Sequence, residues 1–312
     1  MIQNKFSVFS KLFDFVLFDI NYDLTNILLY DDLFNSLFYY LEYTTLEQNN
    51  IMIKFTTQNG NITVLNRLLE SGTNVDPSAK NNYAIRFASQ NGHIAVVDRL
   101  LQDRTGRVDP SADNNSAIRM ASENGHIAVV DRLLQDRRVD PSAANNSAIR
   151  MASENGHIVV VDRLLQDGTG RVDPSADNNY AIRYASANGH IAVVDRLLQD
   201  SRVDPSADNN YAIYWASENG HIAVVNRLLH DLRVNPSTDN NFSIRWASLK
   251  GHIAVVDRLL QDRRVDPSAK NNYAIRWASH NGHIAVVKLL LEHQNKQTSK
   301  LGAIYNWCIN LF

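Results

Sequence analysis

The sequence predicts an all-α solenoid of stacked helix-turn-helix units joined by short extended connectors. Three observations carry that expectation. An Asn-Asn pair opens a near-identical block at Asn49, Asn81, Asn114, Asn145, Asn178, Asn209, Asn240 and Asn271, in steps of 31 to 33 residues. Each block holds two short apolar patterns with helical spacing. A Val-Asp/Asn-Pro-Ser connector precedes each of the last seven blocks, and all 7 prolines of the chain stand in one. A unit of this length cannot bury both apolar faces alone. Neighbours must stack, and cohesion comes from nearest-neighbour interfaces. The 312 residues therefore need not divide into two cores.

The elements follow in order. Residues 1–48 hold seven acids and two lysines among many Phe, Leu and Tyr. They are expected to form an apolar, acidic helical cap or a degenerate repeat. Lys11 and Asp14 interrupt the apolar run and no small-residue cleavage pattern follows, which argues against a signal peptide. Residues 49–80 read as a degenerate repeat, with Asn61 where later units have His and Phe55-Thr-Thr57 in place of aromatic-Ala-Ser. Seven regular units follow, at 81–113, 114–144, 145–177, 178–208, 209–239, 240–270 and 271–292. Residues 293–312 read as a capping segment, with Leu301–Ile309 as a truncated first helix.

The unit at 209–239 shows the grammar. Tyr211–Glu218 is a short helix carrying Ala212, Ile213 and Ala216. Asn219-Gly220 stops it, because both residues accept the left-handed conformation of a helix C-cap. His221–Leu229 is the second helix, with Ile222, Val225, Leu228 and Leu229 at helical spacing. The residue before Pro236 must be extended. Units of 33 residues differ by an insertion between second helix and connector. Gln135-Asp-Arg-Arg-Val139 becomes Gln102-Asp-Arg-Thr-Gly-Arg-Val108 and Gln166-Asp-Gly-Thr-Gly-Arg-Val172, as surface loops tolerate.

Composition excludes several functions. The formal charge is -2, so no global basic field holds nucleic acid. A single cysteine, Cys308, makes no internal disulfide and no all-Cys zinc site. No run of about 18 apolar residues spans a membrane. The repeated histidines, His93, His126, His157, His190, His221, His252 and His283, cannot converge on one metal. Equivalent positions on stacked helices lie about 8–10 Å apart, whereas a zinc ligand must reach within about 2.1 Å. They are expected to bond local backbone at the start of the second helix. Ser, His and Asp recur because the unit recurs, and nucleophilic catalysis needs one asymmetric arrangement. Gly168-Thr-Gly170 is too short to cradle a phosphate. The sequence thus predicts no enzyme, no cofactor and no metal. The Asp-Arg pairs, such as Asp98-Arg99, Asp131-Arg132 and Asp195-Arg196, read as a solvated outer face on which neighbouring units could pair.

The Asn-Gly-His-Ile-Ala-Val-Val-x-x-Leu-Leu run is similar to the second-helix signature of ankyrin repeats, and the period agrees. The resemblance extends from Asn49 to about Glu292. The near-duplicate units, with their VDPSA connectors and NNYAIR openings, most resemble the ankyrin repeat proteins of giant amoeba-infecting viruses. The family's Thr-Pro-Leu-His opening of helix 1 is absent; Tyr-Ala-Ile-Arg, Ser-Ala-Ile-Arg or Tyr211-Ala-Ile-Tyr214 stands there. Ser116 and Ser147 are left as stand-ins for the family's hydroxyl. Arg86, Arg119, Arg150, Arg183, Arg245 and Arg276 are expected to replace its His by bonding turn carbonyls. Asn takes the place of the family's turn Gly.

The resemblance implies a non-enzymatic scaffold that binds a protein partner through a concave groove. A monomer in the cytoplasm, the host's if the chain is viral, is expected, and charge and hydropathy argue against a nucleic-acid or membrane ligand. The position that faces the groove in the family maps to Phe87, Met120, Met151, Tyr184, Trp215, Trp246 and Trp277. The next groove position maps to Gln90, Glu123, Glu154, Ala187, Glu218, Leu249 and His280. Asn114–Asp136 and Asn145–Asp167 differ only at Ala128 versus Val159. Variety therefore lies toward Tyr184–Trp277, and the partner contacts are placed there, with Glu218, Leu249 and His280 beside the rings. Two arrangements stay open for this column: groove-facing, or packed between units. The alternative function is a substrate-recognition subunit of a ubiquitin-ligase assembly docking through residues 1–48. The Leu-Pro usual near the start of such docking motifs is missing, since the first proline is Pro77.

Overall fold

The computed structural model describes residues 46–70, 75–103 and 106–309. The cap expected over 1–48 lies almost wholly outside the described residues, as does the side chain of Cys308. Sixteen helices and no strand occur among the described residues. The first helices of successive units are α1 (Leu46–Gln58), α3 (Ala79–Gln90), α5 (Ala112–Glu123), α7 (Ala143–Glu154), α9 (Ala176–Ala187), α11 (Ala207–Glu218), α13 (Thr238–Lys250) and α15 (Ala269–His280). The second helices are α2 (Ile62–Glu70), α4 (Ile94–Leu101), α6 (Ile127–Leu134), α8 (Ile158–Leu165), α10 (Ile191–Leu197), α12 (Ile222–Leu229), α14 (Ile253–Leu260) and α16 (Ile284–Ile309). Each first helix packs on its own second helix and on the first helices of adjacent units. The second helices form a parallel row of neighbour contacts. No helix among the described residues is long and apolar enough to cross a membrane.

One core runs the length of the stack. Its repeating members are Ala, Ile and Ala of the first helix and Val, Val and Leu of the second, as in Ala212, Ile213, Ala216, Val224, Val225 and Leu228. Small alanines let the first helices approach closely. Each fully buried Ile or Leu contributes about 1.5–3 kcal/mol. The connector valines and prolines are buried as well.

The Asn-Asn pairs do more than open a helix. In each regular unit three consecutive residues, such as Asp208, Asn209 and Asn210, have φ between +51° and +63°. The right-handed helix begins only at the next residue, Tyr211, as the sequence predicts. Left-handed backbone costs an L residue about 1–2 kcal/mol, least for Asn and Asp. The second Asn offsets part of that cost across the joint. Asn82 Oδ1 accepts from Asp109 N at 2.8 Å, Asn115 from Asp140 N at 2.7 Å and Asn179 from Asp204 N at 2.8 Å. The connector aspartate in turn accepts from the Ser two residues on, as Asp109 does from both N and Oγ of Ser111. At the end of the series, Gln294 Nε2 donates to Asn272 Oδ1.

The histidines also stitch units together, which corrects the expectation of a purely local bond. His221 Nε2 donates to the Ala187 carbonyl of the preceding unit at 3.0 Å, and His157 to Glu123 O at 2.9 Å. Those carbonyls lie at the C-termini of first helices, where no intrahelical donor reaches them. The imidazole sits over the glycine of the unit before: a Cβ on Gly189 (φ +77°) would lie 2.6 Å from His221 Nδ1. Glycine is thus required twice, for its backbone conformation and for the space. A second correction concerns the C-terminal segment. Leu301–Ile309 is not a separate first helix; α16 runs unbroken from Ile284 to Ile309. No Gly or Pro stands between Leu291 and Leu301 to stop it.

Candidate protein-binding face

Right-handed first helices expose one stripe. In α11 it comprises Tyr211, Tyr214 and Trp215, at i, i+3 and i+4, while Ala212, Ile213, Ala216, Ser217 and Glu218 are buried. The seven column residues, Phe87, Met120, Met151, Tyr184, Trp215, Trp246 and Trp277, lie on this stripe. All seven are half-buried, and none belongs to the core. Of the adjacent set, Glu123 and His280 are exposed, Gln90, Glu154, Ala187 and Leu249 half-buried, and Glu218 only 9% exposed. Glu218 turns from solvent toward Tyr214 and Lys250.

The rings do not stand singly. In five of the units the ring that starts the helix packs against the column residue four positions on, the spacing that places side chains on one face. Ring centroids are 3.9 Å apart for Tyr83 and Phe87, 4.0 Å for Tyr180 and Tyr184, 5.4 Å for Tyr211 and Trp215, 5.6 Å for Phe242 and Trp246, and 5.4 Å for Tyr273 and Trp277. Trp277 also meets His280 edge-on at 5.5 Å. Sequence reasoning named one ring of each pair and missed the other, although the Tyr-x-x-x-Trp spacing was present. In the units of Met120 and Met151 the partner is Ser116 or Ser147, and no ring pair forms.

The arginines of the first helix close the left-handed turn, as expected. Arg119 donates from Nε to Asn114 O at 2.9 Å and from Nη2 to Asp113 O at 3.1 Å. Arg245 does the same to Asn240 O and Asp239 O. They also reach forward. Arg150 pairs with Asp177 and lies 4.9 Å from the Tyr180 ring; Arg183 pairs with Asp208 and lies 5.1 Å from the Tyr211 ring. Ser116 does not replace the family hydroxyl, since its Oγ is buried with no hydrogen-bond partner. Burial and the hydrogen bond from Tyr180 to Glu154, 2.6 Å long, raise the Tyr180 phenol far above its ordinary range; burial and Glu218 do the same for Tyr214.

The second helices carry a different pattern. Arg132, Arg163, Arg196 and Arg227 pair through Nε with Asp98, Asp131, Asp162 and Asp195 of the preceding unit at 2.6–2.7 Å. Cross-unit pairing, left open by the sequence, is what forms. No group of three or more His, Cys, Asp or Glu that could hold a metal occurs among the described residues.

Family models describing ankyrin repeats match residues 52–145, 149–240 and 244–291. The chain belongs to the ankyrin repeat family. No curated protein matches the chain. Ankyrin repeats are generally protein–protein interaction modules and typically non-enzymatic scaffolds. The matched segments include the degenerate repeat, whose Asn61 accepts from Val64 N at 3.1 Å through Oδ1 where regular ankyrin units have the stitching histidine.

Proposed function

We propose that this ankyrin protein is a non-enzymatic scaffold that binds a protein partner through the exposed stripe of its first helices. The contact would centre on Tyr184, Trp215, Trp246 and Trp277 and extend to Phe87, Met120, Met151, Glu218, Leu249 and His280. One observation carries the reading: from α9 to α15 every unit presents a pair of aromatic rings in contact on this partly exposed stripe. Partly exposed Trp and Tyr on a rigid support are the side chains most enriched in binding hot spots. A long shallow face suits a protein better than a small ligand. The near-duplicate units, in their resemblance to those of giant amoeba-infecting viruses, favour a host protein met in the host cytoplasm by a monomer. No observation favours the ubiquitin-ligase reading, whose docking element would fall on residues 1–48.

The test is affinity capture from the native cell with the wild-type chain and with Trp215, Trp246 and Trp277 all changed to Ala. The expected result is a protein retained by the wild type and lost from a variant that still melts cooperatively. Equal retention by both sinks the proposal.

A further inference from the structure

One joint of the stack has a guanidinium-binding geometry but no guanidinium on its carboxylate. The residue before each Asn-Asn pair is Lys80, Asp113, Ala144, Asp177, Asp208, Asp239 or Lys270. The first-helix residue of the preceding unit that reaches this position is Arg86 for Asp113, Arg150 for Asp177 and Arg183 for Asp208. All three form the ion pair. Asp239 is the one aspartate of the set preceded by no arginine, because Tyr214 stands there. No ion pair of the Asp239 carboxylate occurs among the described residues.

Tyr214 does not fill the space that the arginine would take. Its ring meets Phe242 edge-on at 4.3 Å, and a pocket of about 270 Å³ remains between the units, with Asp208, Tyr211, Tyr214, Thr238, Asp239 and Phe242 in its walls. That is below the roughly 300–1,000 Å³ of pockets for whole small ligands and suits one side chain. Departures from the repeat cluster here: Asn235 for Asp, Thr238 for Ala, Phe242 for Tyr or Ser, Ser243 for Ala. Arg245, 7% exposed and bonded to the Asp239 carbonyl, does not pre-empt the site. At the Asp177 joint, Arg183 bonds the Asp177 carbonyl while Arg150 holds the carboxylate. At the Asp113 joint, Arg119 and Arg86 divide the same two roles. These joints accommodate two arginines each, and the 214–239 joint holds one.

We propose that this pocket takes the guanidinium of an arginine side chain presented by a partner protein, paired with Asp239 and packed against Phe242 and Tyr214, Phe242 being the register equivalent of Tyr180 and Tyr211 in the filled joints. The inference rests on the interaction-scaffold reading and names the chemistry that reading leaves open. The chain's own joints supply the template: a carboxylate at one end of the planar cation and an aromatic ring at about 5 Å. Lysine fits less well, because its ammonium is a strongly hydrated point charge without a plane to stack. The pocket adjoins Trp215, whose ring lies 4.8 Å from that of Tyr214, so an arginine there would extend the aromatic patch.

The experiment titrates N-acetyl-arginine methylamide into the full chain and follows the Trp215 indole resonance by NMR, with the lysine and citrulline analogues alongside. The expected result is saturable binding of the arginine probe about tenfold tighter than citrulline. Asp239→Asn should weaken it by about the same factor. Tyr214→Arg refills the joint with the chain's own guanidinium, so it should abolish probe binding while the melting temperature holds or rises. Equal shifts by arginine and citrulline, or undiminished binding to Tyr214→Arg, overturn the proposal. Should Asp239→Asn fail to fold, Tyr214→Arg alone decides. A captured partner that is lost from the tryptophan variant but kept by Tyr214→Arg removes this pocket and leaves the scaffold reading. Probe binding without any captured protein removes the scaffold reading instead.

Discussion

The units at 114–144 and 145–177 and those at 209–239 and 240–270 share one frame and differ on one face. In the first pair this face of the first helix reads Ser, Arg, Met, Glu twice over; in the second it reads Tyr, Tyr, Trp, Glu and Phe, Arg, Trp, Leu. The stitches are the same in both. Asn146 accepts from Asp173 N as Asn241 does from Asp266 N, and His157 and His221 each hold the carbonyl of the unit before. The residues that join units are therefore held constant while the stripe changes, and between these two pairs the forward Arg link is lost where Tyr214 enters. Stability and recognition occupy separate surfaces of the same helix.

The sharpest break of that comparison is in the core. Ile149→Ala and Ile213→Ala remove fully buried side chains, one in each region, and each should cost about 2–5 kcal/mol in denaturant unfolding. Trp215→Ala and Trp246→Ala remove larger but half-buried rings and should cost about 1 kcal/mol. A tryptophan loss as large as the isoleucine loss would place the aromatic column among the residues that hold units together.

The next effect isolates the histidine stitch. Gly125 and Gly282 share nearly the same backbone, φ +75° and +74°, but only Gly125 lies beneath an imidazole, with the position of a Cβ 2.5 Å from His157 Nδ1. Gly282→Ala should cost the left-handed backbone penalty alone, about 1–2 kcal/mol. Gly125→Ala should cost visibly more, because His157 must leave the Glu123 carbonyl. Equal melting-temperature losses would show that the histidine contributes nothing beyond filling space.

How much of this was legible follows from what a repeat exposes. Helix bounds, stops and connectors were readable because Asn-Gly and Val-Asp-Pro-Ser are local signals. The column from Phe87 to Trp277 was readable from family register. The stitches were not: His221 to Ala187 and Asn179 to Asp204 join residues 25 to 34 apart in sequence, and a uniform repeat gives no hint of which neighbour a side chain reaches. The pocket at Tyr214 and Asp239 was hidden for the opposite reason. Tyr214 looked like one odd letter until the structure showed that Arg183 reaches forward to Asp208.

Acid should loosen both regions together. Asp136, Asp200, Asp231 and Asp262 each accept from the Arg two residues on, and these hydrogen bonds, ahead of the other causes, hold their carboxyls below the usual range. Their folded values lie below the unfolded value of about 3.9. The stabilisation is therefore present above that pH and is lost as pH falls through the folded values. Melting temperature followed from pH 6 to pH 2 should drop steeply at the acid end. A variant with all four changed to Asn should be less stable at neutral pH and flatter toward acid. Parallel profiles would mean that the clamps carry no pH dependence.

The smallest effect concerns the outer ladder, which also changes between the regions. Its rungs run from Arg132–Asp98 to Arg227–Asp195. At the next position Asn226 replaces Asp, and no hydrogen bond or ion pair joins it to Arg258 among the described residues. An uncharged acceptor is not barred by geometry, since Asn66 Oδ1 accepts from Arg99 Nε at 2.9 Å in the first rung. Asn226→Asp should add one exposed pair and raise stability by about 0.2–1 kcal/mol. The gain should shrink between low and 1 M salt, where the screening length falls to about 3 Å. A gain that persists in high salt would mean that the new carboxylate acts by hydrogen-bond geometry and not by charge, and the ladder would then rank with the stitches as part of the constant frame.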